Sequence, residues 1–506
     1  MTLSARIARS PATPAVLSLV LVLWGIGTPS FWRDESVSVM AATMSFDELW
    51  RLLDDIDAVH ALYYLMLRPF AAFGGEFAVR LPSALAVAGA TFGVAAIGRR
   101  LATPQVGLLA GLVYALLPMI SRYGQEARSY ALVSAVAVAA TWVLLGERRS
   151  RYAWYGLLVA LLGWFHLYAL LLLPAHAAVV VRRRGETVPW LASLAGAGVL
   201  LAPLAVIASG QREEQLFWLK VPGLPELGQL GVDIAGGDAA WTSPLLPALF
   251  LATLIALVLL GIWHGTRLRR RGVLTAGGRR QDAEAGGHRE DLTDHREDLT
   301  GHREGLTAGG RREGPVAGEG PGRPSLAGVA VPWAVLPVVL SLLISQIHPV
   351  YSPRYVLFAV PGLALLAGVG LAALRRTPAT WAALTALAVL AASAHLAVRG
   401  PANRPDDLRT LAAELSAQER PGDAVLYVPE RFRLFVVVYG EPYRRLSALG
   451  PGSDRVWLVS RRIRGPEWEE NPRLKELKRD FRKAGQTRIS GAVRITLYTR
   501  RIPSDA

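Results

Sequence analysis

Pro14-Ala-Val-Leu-Ser-Leu-Val-Leu-Val-Leu-Trp-Gly-Ile-Gly-Thr-Pro-Ser-Phe31, followed at once by Trp32-Arg33-Asp34-Glu35, is the stretch on which the fold turns. The run is apolar and close to the length of helix, about 20 residues, that crosses a bilayer core. It ends on two carboxylates, which are costly beside lipid and mark a functional site when a polytopic protein keeps them there. Ten further runs follow: Phe77–Ile97, Gln105–Ile120, Tyr130–Leu145, Tyr152–Phe165, Leu167–Val181, Val188–Ala208, Pro244–Trp263, Gly328–Ile347, Tyr355–Leu374 and Ala379–Val398. The fifth and sixth runs of the eleven are short and are separated only by His166. The pattern predicts an α-helical polytopic membrane protein with about 11 transmembrane helices over residues 1–398. The first run lacks a small-residue cleavage site and carries Trp24, Phe31 and Trp32, so it reads as a retained helix.

Across 506 residues, 52% are hydrophobic and the mean hydropathy is +0.31, more apolar than a soluble chain of this length. The net charge of +15 would suit a nucleic-acid partner, but its distribution argues against one. Arginines gather in alternate connections: Arg6 and Arg9, Arg99 and Arg100, Arg148, Arg149 and Arg151, Arg182 to Arg184, twelve between Arg267 and Arg323, and Arg375 with Arg376. Those segments hold twenty-four arginines, whereas the opposite loops up to Val398 hold nine basic residues. This is the positive-inside pattern. It predicts a cell-membrane protein with a cytoplasmic amino terminus and, after eleven crossings, an extracytoplasmic carboxyl-terminal region. The absence of cysteine excludes disulfides, thiolate catalysis and thiolate metal sites.

Three segments stand apart from the spans. Residues 32–76 form the first outward loop, where Ser45 is placed to cap an amphipathic helix containing Phe46, Leu49, Trp50, Leu52 and Leu53. A second, more apolar helix is predicted over His60–Phe73, and both are expected to lie in the membrane interface. Residues 267–324 carry a seven-residue echo beginning at His288, His295 and His302, with one Leu per seven where a coiled-coil seam needs two. They read as a disordered cytoplasmic insertion. From 399 to 506 hydropathy falls, and helix-like (Asp406–Leu415, Pro472–Lys483) and strand-like (Ala424–Val428, Arg455–Val459, Val493–Thr499) stretches alternate, which predicts a small extracytoplasmic α/β domain.

Four polar clusters interrupt the apolar runs, all on the outward side of the predicted topology: Arg33-Asp34-Glu35; Asp54 to His60 with Tyr63-Tyr64; Arg122 to Tyr130; and His348 to Tyr355. Any one of them reads equally well as a hydrophilic loop. Four on one face, with acids from one part of the chain and arginines from others, point to a site. Arg80 at a helix end reads as a residue snorkelling to headgroups, His166 as interfacial and His176 as hydrogen-bonded within the bundle.

Asp34-Glu35, the Asp57 to His60 stretch leading into Leu62-Tyr63-Tyr64-Leu65, Arg80-Leu81-Pro82-Ser83, Gln125-Glu126-Ala127-Arg128 and Pro353-Arg354-Tyr355 together resemble polytopic glycosyltransferases of the GT-C superfamily. Within it they look most like the branch of protein O-mannosyltransferases, aminoarabinose transferases and bacterial relatives, over most of Pro14–Leu374. Many relatives have His-Pro-Pro where this chain has His60-Ala61-Leu62. The resemblance implies transfer of a sugar, mannose first and arabinose beside it, from a polyprenyl-phosphate donor to an acceptor hydroxyl, outside the membrane and with inversion. It implies Asp34 as base, with Glu35 orienting it or lining the acceptor site. Asp57 and His60 would contact sugar or acceptor, Glu126 would lie in the same donor and acceptor site, and Arg128 and Arg354 would hold the phosphate with Arg122 and Tyr355 in support. No cofactor is implied beyond the lipid-linked donor; Asp34, Glu35, Asp57 and His60 are residue types that could ligate a cation, but the resembling branch generally manages without a metal, and the acceptor stays open between protein, lipid and glycan. The residue types suit the chemistry: a carboxylate takes the proton of an attacking hydroxyl, and guanidinium groups meet the charge that develops on a departing phosphate. A secondary transporter would instead show repeated halves and charges inside its spans, and a passive envelope scaffold would have no use for the early acid pair.

Overall fold

Each of the eleven apolar runs contains helix in the computed structural model, which describes residues 10–211, 219–237, 243–286, 324–374, 377–400, 404, 406–428, 430, 432–433, 437–439, 447–450, 452–461, 471–490 and 493–501. In chain order the first eleven helices are α1 (Ala12–Leu23), α2 (Arg33–Thr43), α3 (Phe46–Asp55), α4 (Ala61–Ala71), α5 (Gly75–Leu101), α6 (Pro104–Leu116), α7 (Pro118–Gly124), α8 (Tyr130–Leu144), α9 (Arg151–Phe165), α10 (Leu173–Val180) and α11 (Thr187–Gly210). Then come α12 (Leu224–Ile234), α13 (Leu245–Gly286), α14 (Leu326–Ile344), α15 (Val360–Ala373) and α16 (Thr377–Val398). Among the described residues six helices are long and apolar enough to cross a bilayer, and seven if α6 and α7, bent by 64° at their junction, count as one. The expected count of eleven full-length spans is therefore not met by length alone, because several helices are broken. α1 stops at Leu23, where Gly25 takes a φ of +68°. Pro118 opens α7, His166 leaves helical geometry after α9, and Pro353 begins a 3-10 stretch that runs to Ala359 before α15. Irregular backbone survives at membrane depth only where protein covers it, so these breaks mark a protected region.

Packing is closest where side chains are smallest. A Cβ added at Gly261 of α13 would lie 2.0 Å from the Leu366 carbonyl oxygen, and one at Gly370 of α15 would lie 1.9 Å from that of Leu257. The two helices thus meet backbone to backbone, as small residues allow between membrane helices. His176 is hydrogen-bonded inside the bundle, to Thr141 Oγ1 and to the Tyr155 hydroxyl, each at 2.9 Å.

The arginines of alternate connections gather at one end of the bundle. Arg100 donates to the Leu145 carbonyl at 2.7 Å, Arg183 to that of Leu144 at 3.1 Å, and Arg151 pairs with Glu186. The polar clusters lie at the other. In the first long loop Ser45 caps α3, with Glu48 closing a capping box, and Trp50 is 73% exposed. The helical backbone of α13 runs on to Gly286, into the 267–324 insertion where disorder was expected. Arg, Leu, Ala and Gln are good helix formers, and a helix already nucleated in the bundle extends without a new nucleus. The heptad repeat itself lies outside the described residues.

Beyond Val398 come α17 (Leu408–Gln418), β1 (Ala424–Val428), β2 (Ser447–Ala448), β3 (Arg455–Arg461), α18 (Pro472–Asp480), β4 (Phe481–Ser490) and β5 (Val493–Arg500). They form one sheet in the order β2-β1-β3-β5-β4, parallel from β2 to β3 and antiparallel beyond. Leu408, Leu411 and Leu415 of α17 cover one face and Leu474 and Leu477 of α18 the other. β4 begins where the charged helix was expected to continue to Lys483, because Phe481 turns into the core behind Leu477.

Candidate active site

The breaks in the helices and the polar clusters fall together. α2 starts directly after Trp32, which places Asp34 in its first turn, where the helix dipole favours an anion. The Asp34 carboxylate is a quarter exposed and receives Arg354 Nη1 at 3.3 Å from the 3-10 stretch that begins at Pro353. Arg128, from the turn between α7 and α8, reaches the same place: its Nη1 donates to the Asp34 carbonyl at 3.3 Å and to Ser38 Oγ at 3.2 Å. Its Nη2 lies 3.0 Å from His60 Nε2. An arginine only donates, so His60 accepts there and is neutral. Burial, then the charge of Arg128, holds its pKa well below the ordinary histidine range.

Asp57 adjoins His60 and is the only non-glycine with positive φ among the described residues, at +66°. Strain of that sort persists where surrounding contacts fix it, often at functional sites. The Asp57 carboxylate accepts from the Tyr64 hydroxyl at 3.1 Å. Burial raises its pKa, with Arg128 and Tyr64 pulling the other way without cancelling it. A carboxyl raised in this way takes up its proton at a pH above the usual aspartate range. An activity profile in which ionised Asp57 takes part is therefore expected to carry its acidic limb above that range, and Asp57→Asn to move the limb to lower pH. The pH dependence of kcat/KM for the two proteins checks this.

Glu35 does not share this face. It is wholly buried, and its oxygens take Arg80 Nε at 2.7 Å and Nη2 at 2.8 Å and the Ala127 amide at 2.8 Å. Burial opposes its charge, but Arg80 outweighs it and the pKa is lowered. With three hydrogen bonds inside the protein and no exposure, Glu35 is held as a buried anchor away from the face that Asp34 shows, where a catalytic or acceptor-lining place was expected for it. Arg80 is corrected in the same stroke. It is fully buried and does not snorkel, and it donates further to the carbonyls of Ile26 and Pro29, at 2.7 and 2.8 Å. Glu126 is also buried: its Oε1 pairs with Arg404 at 3.3 Å and Arg122 at 3.8 Å. Both ion pairs fall on Oε1, and Oε2 has no hydrogen-bond partner among the described residues. Arg122 packs beside Gly237, where an added Cβ would lie 2.6 Å from its guanidinium.

Sequence reasoning missed an aromatic wall. Tyr355 stacks on Tyr168 with ring centroids 5.8 Å apart and planes 7° apart, lies 4.8 Å from His166, and meets Tyr130 at 6.1 Å. The signal was present: His166 breaks two short runs on the same outward side as the four clusters, but an isolated polar residue carries little weight alone. Among the described residues no group of three or more His, Asp or Glu side chains is placed to hold a metal ion.

No protein-family model matches this sequence, and no curated protein matches it. Solved structures do. ArnT from Cupriavidus metallidurans in the apo state superimposes with a TM-score of 0.58 at 11% identity, covering 96% of this chain and 97% of that one. The same protein bound to undecaprenyl phosphate gives 0.55 at 11% identity over the same shares. The fold is that of ArnT. The superposition takes in the broken bundle and the carboxyl-terminal sheet over nearly the whole chain, and the long apolar helices among the described residues mark a membrane protein.

Proposed function

We propose that this protein is an inverting membrane glycosyltransferase that moves a sugar from a polyprenyl-phosphate donor to an acceptor hydroxyl on the extracytoplasmic side. The observation that carries the reading is the meeting of Asp34 with Arg354 and Arg128, drawn from three distant stretches of chain, at 3.3 Å each. In the proposed reaction the acceptor oxygen attacks the anomeric carbon opposite the phosphate. The carbon–oxygen bond to phosphate breaks as the new glycosidic bond forms, and the hydroxyl proton passes to the Asp34 carboxylate. The leaving phosphate needs no proton, and Arg128 and Arg354 meet its charge. Tyr355 and Arg122 support that end, and Asp57 and His60 face the sugar or acceptor. The undecaprenyl phosphate in the ArnT complex supports a polyprenyl carrier here. Mannose, with arabinose as second choice, follows from the residue motifs alone.

Purified protein in vesicles, supplied with labelled polyprenyl-phosphate mannose or arabinose and an extract of the host's lipids and glycans, is expected to yield a labelled product. Solute uptake without any sugar transfer would replace this reading with the transporter. Because two fixed guanidinium groups serve the leaving phosphate, transfer is proposed to run without a divalent cation. Addition of EDTA is expected to leave the rate within about twofold, whereas loss of one transition-state charge contact costs about a hundredfold or more.

A further inference from the structure

The chain that leaves the last span is built into the site, and nothing proposed above uses it. Arg404 is buried beneath the turn that carries Arg128: its Nη2 donates to the Gln125 carbonyl at 2.8 Å and its Nη1 to Glu126 Oε1 at 3.3 Å. The next two residues of that turn are Ala127, whose amide holds Glu35, and Arg128, whose guanidinium lies against Asp34 and His60. The other catalytic segment, between α1 and α2, is gripped from the same direction. Ser30 Oγ accepts from the Leu408 amide at 2.9 Å, the Tyr439 hydroxyl accepts from the Phe31 amide at 2.7 Å, and Arg409 donates to the Gly27 and Thr28 carbonyls. Arg399 donates to the Trp24 carbonyl at 2.8 Å and lies over the Trp24 ring. Both strands of chain that bring Asp34 and Arg128 together therefore have backbone polar groups met by residues after Val398.

We propose that the chain after the last span is a clamp that sets the active-site geometry, with Arg404 as a positioning residue that acts through Gln125 and Glu126 on Arg128. This rests on the reading of Asp34 and Arg128 as the reacting site. Arg404 touches none of the proposed site groups, so its effect is on placement. A displacement of about 1 Å in a catalytic group lowers a rate by as much as a hundredfold. The clamp also explains the buried Glu126, which links the arginine to the turn.

The test uses the full-length protein in lipid nanodiscs. In Arg404→Met, turnover per folded molecule is expected to fall about a hundredfold, and affinity for undecaprenyl phosphate alone to weaken with it, because the displaced group is the phosphate-holding Arg128. Combining Arg404→Met with Glu126→Gln is expected to cost no more than the worse single change, since both break one link. Hydrogen exchange at the amides of 125–128 is expected to quicken at least about tenfold, with the amides of α15 unchanged. Arg404→Lys, which keeps the charge, is expected to fall between wild type and Met in both readouts, and it serves if the Met variant does not fold. Wild-type turnover, or wild-type exchange at 125–128, in Arg404→Met overturns the clamp, as do wild-type values of both in Arg404→Lys if that is the variant that folds. If the wild-type protein transfers no sugar from any polyprenyl-phosphate donor, the transferase reading falls, and the exchange comparison alone still decides whether Arg404 holds the turn.

Discussion

Asp34→Asn is expected to lower sugar transfer by about a thousandfold while leaving membrane insertion and folded yield at wild-type levels, since a positioned general base contributes about 10² to 10⁴. That loss corresponds to about 4 kcal/mol of transition-state stabilisation. Asparagine keeps the shape of the side chain and its place in the first turn of α2, so Arg354 still meets an oxygen, but the amide cannot take a proton. The Asp34 main-chain carbonyl that receives Arg128 is untouched, so the phosphate end of the site should survive. Affinity for undecaprenyl phosphate is accordingly expected to hold within a few-fold while kcat collapses. That split separates a base from a residue that merely steadies Arg354, whose loss would weaken lipid binding as well. Transfer within tenfold of wild type would remove Asp34 from the mechanism.

How much of this was legible beforehand varies with the kind of force involved. Burial in lipid writes itself into sequence as long apolar runs, and each of the eleven runs does contain helix. Their ends were less legible. A glycine at positive φ, a proline or a single histidine breaks α1, the α6–α7 pair and the α9–α10 pair with little change in hydropathy. The polar clusters were legible as clusters because charges next to spans are rare. The roles within them were not, and Asp34-Glu35 shows why. Adjacent residues on a helix point about 100° apart, so once α2 begins at Arg33 the two acids must face different surroundings. Reading them as one unit assumed a loop. Arg404 was invisible for another reason: its partners lie 278 and 279 residues away, and no periodicity or motif reports a contact at that separation. The carboxyl-terminal strands showed as short apolar stretches, whereas β4, rich in Arg, Lys, Gly and Gln, has no such signature and is defined by its pairing with β5.

The buried pair at the base of α2 should produce the largest effect on folding. Arg80→Met leaves Glu35 as an uncompensated charge with no exposure to water and strips donors from the carbonyls of Ile26, Pro29 and Ser30. Breaking such a pair on one side costs about 3 to 5 kcal/mol, enough to deplete folded protein in the membrane. Arg80→Lys is expected to rescue poorly, because an ammonium cannot reproduce a planar fork that serves both Glu35 oxygens and the carbonyls together. Glu35→Gln with Arg80→Met removes both charges and is expected to recover part of the folded yield lost by Arg80→Met alone. Thermal unfolding in detergent and folded yield in membranes measure this directly. Activity per folded molecule then distinguishes the two acids: in the double variant it should fall far less than in Asp34→Asn, because Glu35 supports the Ala127 amide and α2 and takes no proton. If the double variant folds normally yet loses activity as completely as Asp34→Asn, Glu35 has a chemical role after all, and the first turn of α2 must open toward the site during the reaction.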